Sequence, residues 1–150
     1  MAMPKKETIE RARRDKREGK SPSTQAGEFV REEIESIRKG EHGARSTKQA
    51  IAIGLSKARR AGVKLPPPKK GSVSAETRKK AKRDLARGKR RAKPSQRRSR
   101  ATLRALKREG TKAASRASLS EQARTAARKR SATERSAAAK KAARTRAARD

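Results

Sequence analysis

The chain has no Cys, Trp or Tyr, and its only aromatic residue is Phe29. Without cysteine there is no disulfide scaffold, no thiolate nucleophile and no Cys-ligated zinc site. One aromatic residue in 150 leaves little for a large core and no platform on which exposed bases could stack. Histidine is nearly absent as well. His42 stands alone beside Glu41, with no second ligand and no nucleophile, and reads as a solvent-exposed loop residue. There is no glycine-rich phosphate loop, no metal-binding His spacing and no carboxylate cluster suited to a two-metal centre. The reading is therefore non-enzymatic, with no cofactor. Apolar runs are only a few residues long, far short of a membrane span or a signal-peptide core. The basic stretches also lack the Trp, Phe or Leu face of a membrane anchor.

Positive charge is what the chain has in excess. It holds 47 Lys or Arg against 15 Asp or Glu, a net charge of +32. Residues 72–150 carry 28 of those cations and 6 of the carboxylates, and their large apolar side chains are Val73, Leu85, Leu103, Leu106 and Leu119. Cations packed this densely repel one another, and a polyanion such as a phosphate backbone relieves the repulsion.

Four segments follow from the pattern. Residues 1–20 read as a basic N-terminal arm, because Ile9 and Ala12 offer too little apolar surface to hold a helix onto anything. Residues 21–65 read as a helical hairpin. Its first helix starts at the cap Ser21 with Pro22 in the first turn, carries Ala26, Val30, Ile34 and Ile37 on one face with Phe29 at its edge, and stops at Gly40. Glu28, Glu32 and Glu35 lie on the outer face, balanced by Arg31 and Lys39. The second helix starts at Ser46, with Gln49 at capping-box spacing, buries Ala50, Ile51, Gly54, Leu55 and Ala58, and ends at Gly62. Ile53 falls on its polar face, where it could form a homodimer contact through the hairpin. Residues 66–71, Pro66-Pro67-Pro68 onward, read as a stiff basic linker. Residues 72–150 read as an Ala/Arg/Lys/Ser-rich basic tail, partly disordered and helical when bound, because cations at neighbouring positions oppose its helix formers. The expected fold is thus all-α, a small antiparallel hairpin with a long basic tail.

The expected nucleic-acid contacts centre on the start of the second helix. Arg45, Ser46, Thr47 and Lys48 put hydroxyls, cations and unpaired N–H groups at a positive dipole end, a phosphate-binding arrangement. Lys57, Arg59, Arg60, Lys64, Lys69 and Lys70 continue it, and Lys79, Lys80, Arg97 and Arg98 extend it into the tail. Gln49 is the one candidate for an adenine contact. Contacts from Lys and Arg to phosphate need no sequence code, so binding is expected to be largely nonspecific.

The stretch 48–62 contains KQAIAIGLS, from Lys48 to Ser56, then Ala58 and Arg60-Ala61-Gly62. In this it resembles a small basic bacterial domain family of unknown function with a KQAIAIGLS-A-RAG core, whose members are sometimes labelled DNA-binding or plasmid-stabilisation proteins. The tail resembles bacterial histone H1-like proteins, though it is richer in Arg and Ser. The resemblance implies a bacterial origin. Together with the basic tail, the expectation is a nucleoid-associated protein of the bacterial cytoplasm that binds and compacts duplex DNA. The Arg-rich tail leaves RNA or ribosome association as the alternative, and an adaptor with a protein-binding hairpin and an electrostatic tail as a third.

Overall fold

In the computed structural model, residues 2–91 and 93–149 are described. Seven α-helices span them: α1 Lys6–Arg17, α2 Pro22–Arg38, α3 Thr47–Arg60, α4 Ala75–Lys89, α5 Gln96–Leu106, α6 Arg116–Arg128 and α7 Ala132–Ala147, with a 3-10 turn at Lys112–Ala114. The chain divides into two compact units, Met1–Ser115 and Arg116–Asp150. All-α holds. The hairpin with a disordered tail does not, because helices run through the arm and the tail alike.

The central pair forms where its caps predict. Ser21 Oγ accepts the Thr24 N–H and Pro22 opens α2, while Ser46 Oγ accepts the Gln49 N–H at the start of α3. Gly40 and Gly62, at φ of +73° and +97°, supply the left-handed turns that end the two helices. After Gly62 the Val63 N–H returns to the Ala58 carbonyl, which folds Val63 onto a core of Ala12, Ala26, Phe29 and Ala58, with Ile9, Leu55 and Leu65 at its margin. Helices α2 and α3 meet closely at Gly54, where a Cβ would lie 2.6 Å from Val30 Cα. Ile53, expected on the polar face, is half-buried.

Three additions enlarge this pair. Helix α1 docks on α2 by burying Thr8, Ala12 and Asp15, a stripe at i, i+4 and i+7 with almost no large apolar surface. Polar contacts hold it: Arg11 Nε donates to Glu28 at 2.6 Å, and the Lys5 N–H, at the helix start, donates to Glu32 at 3.0 Å. Helix α4 docks on α3 through Ala81, Asp84 and Gly88; Asp84 accepts from Ser56 and from Arg60 Nε at 2.8 Å, and a Cβ at Gly88 would collide with the Arg59 carbonyl. Residues 106–114 then strap across the α2–α3 loop. Gly43 and Ala44 donate to the Leu106 and Gly110 carbonyls, and Arg38 Nε donates to Ala114 at 2.9 Å. Small residues and backbone bonds do the docking, which is why the scarcity of large apolar side chains did not leave this stretch without partners.

The second unit is different in kind. Neither α6 nor α7 contains a buried residue. Helix α7 starts with a full capping box, Ser131 with Glu134, and is otherwise an Ala-rich helix studded with cations. Among the described residues no helix is long and apolar enough to cross a membrane.

Candidate nucleic-acid interface

The expected phosphate site at the start of α3 is partly covered. Thr47 is buried and its hydroxyl donates to the Ala113 carbonyl at 2.7 Å; the Ser46 hydroxyl caps Gln49, and the Gln49 side chain accepts the Arg45 N–H. Arg45 stays exposed, with Glu109 at 3.7 Å, and Lys48 is exposed. Further along α3 the expected contacts separate. Arg59 turns inward and donates to the Leu65 and Pro66 carbonyls, both at 3.2 Å, clamping the proline run; burial pulls its guanidinium below its ordinary pKa. Arg60 is half-buried on Asp84. Lys64, Lys69, Lys70, Lys79, Lys80, Arg97 and Arg98 are exposed. Lys80 pairs along α4 with Glu76, whose carboxyl its hydrogen bond holds below the usual range.

Lys57 belongs to a buried charge cluster rather than to the surface. Its ammonium, 4 % exposed, lies 2.7 Å from Glu33 and 3.6 Å from Glu32. Glu33 is completely buried, and its other oxygen faces His42 Nε2 at 3.4 Å. The remaining ring nitrogen, Nδ1, meets the Gly43 carbonyl at 3.0 Å. Both nitrogens of His42 thus face acceptor oxygens. His42 is therefore interior, not a solvent-exposed loop residue, and Glu32 is buried rather than on the outer face of α2. A signal was available. Glu33 sits at i+3 from Val30 and i−4 from Ile37, inside the apolar stripe, and a carboxylate there demands a buried partner.

What the fold gathers instead is a cleft of about 1040 Å³ bounded by α1, the end of α3, α4 and the start of α5. Nine Lys or Arg line it and, among the described residues, no Asp or Glu does. Two are neutralised from behind, Lys57 and Arg60. The others come from three elements: exposed Arg13 and Lys16 on α1, exposed Arg83 and half-buried Arg87 on α4, and exposed Arg91, Lys93 and Arg98 around the turn into α5. Only Arg60 and Arg98 of the exposed or half-buried set were expected contacts. The i, i+4 spacing of Arg83 and Arg87 places both on one face of α4; that α1 would close the opposite wall was not legible.

Arg91 is the one described non-glycine residue with positive φ, at 49°. It occupies the position after α4 where glycine is usual, and its N–H returns to the Gly88 carbonyl. A side chain in this conformation costs about 1–2 kcal/mol. Arg91→Gly should therefore raise stability by about 0.5–1 kcal/mol in urea melts, the gain reduced by glycine's larger unfolded-state entropy. The same change should weaken anion binding at the cleft rim. A variant that is less stable than the parent would show that the arginine is held by contacts worth more than its strain.

The fold and this interface define a basic all-α protein with an arginine-lined cleft. Residues 5–70, covering α1 to α3 and the proline run, match a family of unknown function (DUF6496). No curated protein and no solved structure matches the chain.

Proposed function

We propose that this protein binds nucleic acid without catalysis, contacting phosphates of duplex DNA largely independently of sequence and compacting it, as a nucleoid-associated protein of the bacterial cytoplasm. One observation carries the reading. Residues 116–149 bury no side chain and carry eleven Lys or Arg against two Glu. Helix α7 is exposed throughout and has no apolar face to bury, and α6 keeps Leu119 and Ala126 only half-buried, so neither gains much from packing on its own protein. Their cations, spread around the helix, suit neutralisation by a surrounding polyanion.

Competition at equal phosphate concentration tests this. At physiological salt, duplex DNA should hold the protein against structured RNA. If about ten phosphates are engaged, log K should fall with log salt at a slope near −9. Tighter binding to RNA would transfer the reading to an RNA-associated protein. A stoichiometric protein complex surviving nuclease and high salt would favour an adaptor.

A further inference from the structure

We propose that the cleft between α1, α3, α4 and α5 seats a short stretch of single-stranded nucleic acid, with phosphates at its arginine rim and bases on its apolar floor. This rests on the nucleic-acid reading above but concerns a different surface and a different form of the polymer.

Two properties of the cleft select the ligand. The first is charge without counter-charge. Among the described residues Arg13, Lys16, Arg83, Arg87, Lys93 and Arg98 form no ion pair, so the cleft concentrates repelling cations that a single small anion would not balance. The second is an apolar surface beneath them. Half-buried Ile9 and Met3, with 66 % of its surface in water, belong to its lining, while Val63 is only 7 % exposed. A duplex keeps its bases paired inside and presents phosphate and sugar, which leaves this floor uncovered. A single strand carries both chemistries at the right separation, charge on the backbone and flat faces on the bases. The sole aromatic residue, Phe29, is 1 % exposed and is not a stacking platform. Arginine replaces it, since planar guanidinium groups stack on bases as well as pairing with phosphate. The left-handed Arg91 fits this use: at a turn where glycine would be relaxed, the chain instead places a guanidinium on the rim.

The test must separate the cleft from bulk charge. Ala61→Glu with Thr102→Glu places two carboxylates at exposed positions lining the cleft. Ala139→Glu with Ala143→Glu places two at exposed positions of α7 and gives the same net charge. The probes are a fluorescent oligothymidylate of about eight nucleotides and a blunt duplex, read by anisotropy in the full-length chain at physiological salt. The cleft pair should weaken oligothymidylate binding about tenfold or more relative to the α7 pair, the worth of one well-seated base. On duplex the cleft pair should cost no more than the α7 pair. Equal losses on oligothymidylate would overturn the cleft assignment while leaving duplex binding intact. Polyglutamate competing as well as the oligonucleotide at equal charge would overturn the role of the bases. Parent protein that binds neither probe would defeat the nucleic-acid reading itself, a different result from either.

Discussion

Lys57→Met should cost about 3–5 kcal/mol of folding stability, the usual penalty for removing one partner of a buried ion pair. The methionine is close in length and fully apolar, so little packing is lost. What is lost is the counter-charge. Glu33 is completely buried and neither of its oxygens has a backbone or hydroxyl donor; the Lys57 ammonium at 2.7 Å and the His42 ring at 3.4 Å are what hold it. With the ammonium gone, the carboxylate keeps only the longer histidine contact. Glu33→Gln in the same chain should recover part of the loss, because an amide carries no charge to strand. Urea melts followed by helical circular dichroism measure both. A Lys57→Met protein within about 0.5 kcal/mol of the parent would mean that the cluster is not holding α2 and α3 together.

That cluster shows where sequence reading succeeds and where it stops. The boundaries of α2 and α3 were legible because each is set within a few residues: a Ser hydroxyl reaches an N–H three positions on, and a glycine takes the left-handed turn at the end. Both act locally. The placement of α1, α4 and residues 106–114 was not legible, because they are held by bonds between residues far apart in sequence. Thr47 with the Ala113 carbonyl, Arg60 with Asp84 and Arg11 with Glu28 are ordinary polar groups until the fold brings them together. Counting large apolar side chains also undervalues contacts made through Gly54 and Gly88, where the absence of a side chain allows the approach. The same limit applied to the candidate site. Lys57 and Arg59 read as phosphate contacts by residue type, yet the fold buries both, at 4 % and 6 % exposed. The cleft cations come from separate segments, and of them only Lys57, Arg60 and Arg98 stood among the expected contacts.

Ending the chain at Ser115 should lower duplex affinity by about a thousandfold or more at low salt and flatten the salt dependence by about 5–9 in slope. The cut falls at the junction of the two compact units, so no helix is interrupted. The removed segment holds eleven Lys or Arg, three Asp or Glu and no buried side chain among its described residues. The remaining unit should keep its urea midpoint. If six to ten of those cations each release a counterion on binding, the loss of slope counts them. The truncated protein should still bind oligothymidylate, because Arg13, Arg83, Arg87 and the rest of the cleft lie before Ser115. Duplex and single strand should thus part company: the first loses most of its binding energy, the second little. If truncation leaves the duplex slope unchanged, phosphate contact belongs to the first unit, and α6 and α7 carry their charge for another purpose. If both probes fall together while the urea midpoint holds, the cleft has no affinity of its own and single strands are bound by the same helices as duplex.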